Sequence, residues 1–128
     1  MKRGFRLINV TKTTLLAMNL CVAESLWERM RGLLGRTEFV PHEGLLIPQC
    51  RSVHMWGMRF PIDVVFVDQQ FCVRWLCDGL APGHVSPVIW KARTCIELPV
   101  GTLSTSHTHI GDQLRVEPDP YLSRPVVS

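Results

Sequence analysis

Residues 50–68 read CRSVHMWGMRFPIDVVFVD, and the second half of this stretch decides the class of the fold. Residues 62–67, IDVVFV, are mostly β-branched or aromatic, a pattern typical of a strand that is buried on both faces. Asp68, Gln69 and Gln70 separate this run from a second strand-like run, FCVRWL. We therefore expect a hairpin with its tight turn at residues 68–70.

Short apolar runs with strand character continue on both sides of this hairpin. They occupy residues 5–10, 15–23, 44–48, 52–56, 88–90, 94–100 and 113–117. One helix is predicted at residues 26–34, where apolar residues recur at helical intervals and Ser25 and Glu28 have the spacing of a capping box. Many short strands with one helix in the N-terminal half predict a mainly β (α+β) fold. We expect a compact antiparallel β sandwich or small barrel with the helix packed on it.

Length and composition predict one soluble domain over residues 1–128, with a Pro-rich tail at 117–128. Apolar residues make up 46% and charged residues 20% of the chain, which argues against the disordered and membrane-spanning classes. The five cysteines are an odd number without a C-x-x-C pair, as expected of reduced thiols in a cytoplasmic protein. Asn19 interrupts the N-terminal apolar run, so we expect no cleaved signal peptide and no membrane contact.

The net charge of +3 comes from Arg and Lys residues that are spread along the chain from Arg3 to Arg124. Proteins that bind nucleic acids specifically usually concentrate such residues on one face. The spread therefore argues against a nucleic-acid partner. An unknown small molecule or another protein is the expected partner.

Two groups of residues raise the question of a metal site. The first, at residues 50–58, contains Cys, His and Met, the soft ligands that copper(I) prefers. An extended chain, however, separates Cys50 from His54 by about 13 Å, too far to share one ion. The second is His107 with His109, which point the same way if they lie on a strand, but the other ligands of this cupin-like motif are missing. His107 and His109 are therefore only weak metal candidates, and no cofactor is expected.

Asp63 is a carboxylate inside an apolar strand, where it must find hydrogen-bond donors or an opposite charge. If the chain folds back across residues 57–60, His54 lies directly opposite Asp63, as in the His–Asp pairs of acid–base catalysis. In the structural alternative, Asp63 caps turn amides or pairs with Arg59, and His54 is an ordinary core residue. Glu97 raises the same question in the run TCIELPV, either as a second carboxylate of one site or as a separate anchor.

Four segments of the chain together resemble the domain of unknown function 192 family. They are VAESLWERMRGLLGR, EGLLIPQCRSVHMWGMRFPIDVVFVD, TCIELPVG and IGDQL, within a core of about residues 15–116. The matching motif positions are His54, Met58, Asp63, Phe66, Glu97, Gly101, Gly111 and Asp112. Met55 stands where the family often has Thr. The resemblance implies a compact, mainly β fold with a helix packed against it, and it implies no catalytic residues because the family's biochemical role is not established.

The leading hypothesis is a binding or accessory module, because the sequence contains no nucleophile elbow, phosphate loop or complete metal set. Its candidate ligand-binding residues are Arg51, His54, Met58, Arg59 and Asp63. One alternative is a small hydrolase or lyase with a His54–Asp63 acid/base pair and Glu97 as a further catalytic candidate. A metal-handling protein is the other alternative. The sequence leaves open whether the protein is an enzyme, and leans against it.

Overall fold

The computed structural model describes residues 1–25 and 36–120, in which seven strands form one sheet. The strands are β1 (Lys2–Asn9), β2 (Thr14–Val22), β3 (Glu43–Pro48), β4 (Ile62–Val67), β5 (Val73–Leu80), β6 (Thr94–Leu98) and β7 (Leu114–Pro118). A helix of four residues, α1 (Thr102–Thr105), lies between β6 and β7. In these described ranges, no helix is long and apolar enough to cross a membrane. The predicted helix at 26–34 and the tail from residue 121 lie outside the described residues.

The sheet is curled, and its strands follow the order β5-β4-β6-β3-β2-β1-β7. At one end the two edge strands meet again. There the Val73 N–H donates to the Asp112 O at 2.9 Å. Beside this bond, Cys72 and Gln113 form an isolated bridge. The result is a half-barrel, which confirms the predicted mainly β fold.

One pair of neighbouring strands departs from the antiparallel arrangement. β2 and β3 run parallel, whereas the other neighbouring pairs are antiparallel. A parallel pair requires a crossover connection of about a dozen residues or more. Residues 23–42 provide this connection, and the predicted helix falls within it.

Both faces of the sheet are buried, and β4 shows this most clearly because all of its residues are buried. Val65 and Val67 belong to a first apolar cluster on one face. Val64 and Phe66 belong to a second apolar cluster on the other face. Burial on both faces explains why the sequence of β4 is a continuous apolar run instead of an alternating one.

Two of the predicted strands, at residues 52–56 and 88–90, are loops in the structure. β4 already has β5 on one side and β6 on the other, so no free edge of β4 is open to either loop. The loops belong instead to two segments, 49–61 and 81–93, that pair with each other. We call the solvent-facing side of these two segments the two-loop surface.

Backbone hydrogen bonds join the two segments. The Met55 N–H donates to the His84 O at 2.8 Å. Further along, the Ile89 N–H donates to the Arg51 O at 2.8 Å. On the inner side, Val53 and Met55 are buried in the second apolar cluster, which attaches the segments to the sheet.

Candidate functional site

Asp63 is fully buried in β4, and both of its carboxylate oxygens accept hydrogen bonds from the backbone. The Gly79 N–H donates to Oδ1 at 2.9 Å, and the Leu103 N–H donates to Oδ2 at 2.9 Å. Burial raises the pKa of Asp63 to about 6, against the effect of these two N–H groups, and the neighbouring Asp78 raises it further. Asp63 therefore ties β5 and α1 to the centre of the sheet.

The hydrogen bond to Gly79 satisfies a backbone N–H group at an irregularity of β5. Between Ile62 and Val64 the register of β5 against β4 shifts by one residue, which is the mark of a β-bulge. Gly79 has a φ of 74° there, in the left-handed region that favours glycine. A bulge leaves a backbone N–H without a partner strand, and Asp63 accepts it. This geometry agrees with the structural alternative, in which Asp63 caps backbone amides.

His54 does not meet Asp63, so the predicted pairing register is wrong. His54 forms an isolated bridge with Val85 of the other segment, and its side chain is exposed. Its ring centroid lies 5.1 Å from that of Trp56. The register fails because β4 has a neighbouring strand on each edge, and the segment that contains His54 pairs with residues 81–93 instead.

Glu97 in β6 is only 9% exposed and lies between Leu45 of β3 and Val64 of β4. Burial raises the pKa of its carboxyl to about 7, and the neighbouring Cys50 adds to the rise. Paired residues of neighbouring strands share a face of the sheet, so Glu97 is on the face of Val64. Asp63 is next to Val64 in sequence and points to the opposite face. The two carboxylates are therefore separate and do not share a cleft.

The five cysteines are free thiols, and Cys95 is the most deeply buried. Burial raises the pKa of Cys95 well above its ordinary value, and the hydrogen-bonded Cys50 raises it further. The Cys50 Sγ–H donates to the Ser52 O at 3.2 Å. Because the thiolate is the reactive form, this buried thiol suits packing better than nucleophilic catalysis.

His107 and His109 lie outside the strands, so the predicted strand-type pair does not form. The His109 Nδ1 lies 2.9 Å from the His107 O and 3.1 Å from the Lys12 Nζ. A cationic Nζ beside this ring opposes the binding of a metal cation. Within residues 1–25 and 36–120, no group of three or more His, Cys, Asp or Glu side chains is arranged to hold a metal ion.

The two-loop surface exposes two large aromatic side chains. Trp56 is 62% exposed and Trp90 is 77% exposed. Trp is a highly buried residue on average, so two indoles in solvent on one surface require an explanation. Trp75, by contrast, packs edge-on against the buried Phe66 at 5.7 Å between ring centroids.

The same surface concentrates positive charge that has no carboxylate partner. In the part of the chain that the structure describes, five Arg or Lys side chains form no ion pair: Arg3, Arg51, Arg59, Lys91 and Arg93. All but Arg3 are in the two segments. Neither segment contains an Asp or Glu. The other described Arg and Lys side chains each have a carboxylate within 4 Å.

A small cavity of about 170 Å³ opens between the two segments. It is lined by Gln49, Arg51, Ala92 and Arg93. The Arg51 Nε–H donates to the Ala92 O at 3.1 Å, which fixes one guanidinium beside the cavity. Gln49 has a φ of 55°, a strained conformation for a residue other than glycine. Strain of this kind persists where the surrounding structure enforces it, and it occurs often at binding sites.

Most of the predicted ligand-binding residues lie in one segment of this surface. Those residues are Arg51, His54, Met58 and Arg59, of which Met58 also packs on the second apolar cluster. Asp63 is buried in the sheet and is not part of the surface. Sequence reasoning does not find Trp90, Lys91 and Arg93, because the run at residues 88–90 predicts a strand and the two basic residues belong to a charge that is spread along the chain. The lack of acidic residues in both segments was the signal that could have found them.

Comparison with known proteins places this fold in a family. Residues 7–116 match the family model DUF192, the domain of unknown function 192, described as "Uncharacterized ACR". The chain belongs to this family. Among curated proteins, none is similar enough in sequence to count as a match.

Two solved structures resemble this DUF192 chain in fold. One is a protein of unknown function from Novosphingobium aromaticivorans DSM 12444, with a TM-score of 0.73 and 19% identity over 87% of this chain and 82% of that chain. The other, from Sinorhizobium meliloti 1021, is proposed to be a transcription regulator. It has a TM-score of 0.71 and 24% identity over 91% of this chain and 94% of that chain. At these identities the likeness shows the fold alone.

The structure explains several DUF192 motif positions as scaffold. Asp112 accepts hydrogen bonds from the buried Asn9 Nδ2 at 2.9 Å and from the Lys12 Nζ at 2.9 Å. Burial raises the pKa of Asp112, but these donors outweigh burial and hold the pKa below its ordinary value. Gly101 and Gly111 have φ values of 96° and 95°, which favour glycine. These residues shape the ends of α1 and β7 instead of a cleft.

Proposed function

We propose that this protein is a binding module and that its ligand is an anion that contacts the two-loop surface. The observation that carries the proposal is the set of four Arg and Lys side chains without carboxylate partners beside two exposed Trp side chains. Elsewhere in the described chain, basic residues are almost all neutralised by neighbouring carboxylates. A surface that keeps its charge uncompensated attracts anions and repels cations.

The chemistry of the cations favours a phosphate or carboxylate group as the anionic part of the ligand. Three of the four are Arg, whose planar guanidinium donates two parallel hydrogen bonds to such groups. Arg51 and Arg93 both line the cavity between the segments, so one anionic group there can meet two guanidinium groups.

The two-loop surface is also held in one shape before any ligand arrives. The Ser86 N–H donates to the Val53 O at 2.8 Å, and the Val53 N–H donates to the Ser86 Oγ at 2.9 Å. A preformed site costs less conformational entropy on binding than a site that must be ordered by its ligand. Preformation therefore supports recognition of a specific anion.

The hydrolase or lyase alternative has less support. It depends on a His54–Asp63 pair, but Asp63 is buried and accepts two backbone N–H groups, and His54 lies opposite Val85 instead. Glu97 has a pKa that suits acid–base chemistry, but its neighbours across the sheet are Leu45 and Val64. A metal-handling function has no cluster of ligands to support it among the described residues.

The proposal is tested with tripolyphosphate as a probe and tryptophan fluorescence and calorimetry as readouts. We expect wild type to bind it, and the double variant Arg51→Ala/Arg93→Ala to bind at least about tenfold more weakly, because two charge-assisted contacts are lost. The control is Lys2→Ala/Arg115→Ala, which removes the same net charge from β1 and β7, away from the two-loop surface. Equal losses in the two variants, or no binding by wild type, contradict the proposal.

A further inference from the structure

We infer that the anion bound by the two-loop surface is a single strand of nucleic acid, whose bases stack on Trp56 and Trp90 and whose phosphates contact the Arg side chains of the same two segments. This inference rests on the proposed function and narrows it to one class of ligand. It is carried by the combination of flat aromatic faces with uncompensated cations on one rigid surface. Proteins that bind single strands without strong sequence preference use this combination.

The two exposed indoles are suited to stacking. Both are more than half exposed, so each indole can present a ring face to a planar partner. The His54 ring lies beside Trp56 with a centroid separation of 5.1 Å, which limits the rotamers that Trp56 can adopt. In a duplex the base faces are already stacked on each other, so an exposed indole finds a partner more easily on an unpaired base.

The spacing of the indoles predicts the length of strand that is needed. At one end of the paired segments, Arg51 is hydrogen-bonded to Ile89, the neighbour of Trp90 in sequence. At the other end, Met55, the neighbour of Trp56, is hydrogen-bonded to His84. Trp56 and Trp90 are therefore at opposite ends of the paired segments, up to about 16 Å apart along an extended chain. At this extended length one base step does not bridge the two indoles, so we expect a dinucleotide to reach only one of them. Binding to both indoles requires about four nucleotides or more.

The cations lie in the same two segments as the indoles, within reach of the phosphates of a strand that stacks on them. Arg51 and Arg93 line the cavity between the segments, and Arg59 follows Trp56 in the same loop. Gln49 adds an amide that both donates and accepts hydrogen bonds, as base edges do. A concave, Arg-lined site suits separate phosphate groups better than the flat face of a bilayer.

The distribution of basic residues along the sequence argued against a nucleic-acid partner, and the fold removes that argument. The dispersed residues divide into those that pair with carboxylates and those that do not. Of the unpaired group in the described chain, all but Arg3 gather on the two-loop surface. The charge is spread in sequence but concentrated in space.

An anionic lipid surface is the rival ligand for a basic surface with exposed apolar groups. Val85 and Val88 are 53% and 48% exposed near the two indoles, and Trp is common at membrane interfaces. The experiment below therefore includes lipid vesicles as one of its arms.

The test measures binding of fluorescein-labelled oligothymidine of about eight nucleotides to the full chain by fluorescence anisotropy. We expect the octamer to bind at least about tenfold more tightly than a duplex of equal length or a dinucleotide, and to quench tryptophan fluorescence. The logarithm of its binding constant should fall with the logarithm of the salt concentration with a slope of about −2, as expected for three phosphate contacts. Trp56→Ala and Trp90→Ala should each weaken binding about tenfold without changing this slope. Trp56→Phe, which keeps an aromatic face, should retain most of the affinity, whereas Arg51→Ala should reduce the slope.

Each other outcome has a defined meaning. If tripolyphosphate binds as tightly as the octamer and the Trp variants bind normally, the inference fails and the proposed function stands. If duplex and single strand bind equally, stacking is excluded and the inference fails. If phosphatidylserine vesicles bind but the octamer does not, the inference fails and the surface is a lipid-binding site. If no anion binds, both the inference and the proposed function fail. Lys2→Ala is the charge control, and a wild-type melting temperature establishes that each variant is folded.

Discussion

Replacement of Glu97 by Gln should make the protein more stable than wild type above pH 7, and the gain should disappear at low pH. Glu97 is 9% exposed, and its neighbours across the sheet are apolar. A charged carboxylate in this position loses most of its hydration, whereas a neutral Gln of similar shape does not carry that cost.

The size of the effect follows from the pKa of Glu97. Burial raises the pKa from its ordinary value of 4.5 to about 7 in the folded protein. Each pKa unit corresponds to about 1.4 kcal/mol, so the full effect is about 3 kcal/mol. Between these two pH values the folded state holds a proton that the unfolded state has lost, and the free energy of unfolding falls as the pH rises. The contribution of Glu97 is therefore fully present below pH 4.5 and is lost as the pH rises through 7.

Urea unfolding followed by tryptophan fluorescence at several pH values between about 4 and 8 measures the effect. The difference in unfolding free energy between Glu97→Gln and wild type should grow by about 3 kcal/mol across this range. Other titrating groups, including Asp63, are present in both proteins and cancel in the difference. Glu38→Gln, at an exposed position, removes the same charge and should show no such trend. A difference for Glu97→Gln that stays constant with pH would refute the reasoning.

Three other substitutions separate scaffold residues from binding residues. Asp63→Ala should lower the unfolding free energy by about 2–5 kcal/mol in urea unfolding, because the Gly79 and Leu103 N–H groups lose their acceptor. A loss below about 1 kcal/mol contradicts this role. Gly44→Ala should lower the unfolding free energy by about 1–3 kcal/mol in the same assay, because a Cβ there would lie 2.9 Å from the Leu20 Cδ1. An unchanged urea midpoint would show that the Leu20 side chain moves aside without cost. His54→Asn should change stability by less than about 0.5 kcal/mol while it weakens octamer binding, since His54 is exposed beside Trp56; a large loss of stability with normal binding would make it a structural residue.

The parts of the fold that depend on local sequence could be predicted. The run IDVVFV is a strand because burial on both faces requires apolar residues at every position. The turn after it forms at the predicted place, since the Phe71 N–H donates to the Asp68 O at 3.0 Å. The Asp68 Oδ1 also accepts from the Gln70 N–H at 2.9 Å, a local hydrogen bond that the turn sequence encodes.

The pairings that depend on distant segments could not be predicted. Residues 52–56 have the composition of a strand, but neither edge of β4 is free for them. The predicted His54–Asp63 register assumed that sequence neighbours pair, and the actual partners of Asp63 are Gly79 and Leu103. The parallel pairing of β2 with β3 likewise follows from a long crossover, whose path the strand pattern does not specify.

Only the part of the candidate site that lies in one short segment could be predicted from the sequence. Arg51, His54 and Arg59 could be selected because they crowd one short segment. The second segment has its own Trp and basic residues, but only the hydrogen bonds between the segments show that the two act as one surface. Which cations are neutralised depends on tertiary ion pairs such as Lys12–Asp112, which sequence alone does not reveal.

The most direct test of the two-loop surface as the binding site is a titration of the isotope-labelled protein with the thymidine octamer, followed by NMR of the backbone amides and the Trp indole N–H groups. The account predicts that the indole signals of Trp56 and Trp90 shift, together with amides of residues 49–61 and 81–93, while the indole of Trp75 stays in place. Shifts that cluster instead on β1 and β7, or a spectrum that does not change as octamer is added, would contradict it.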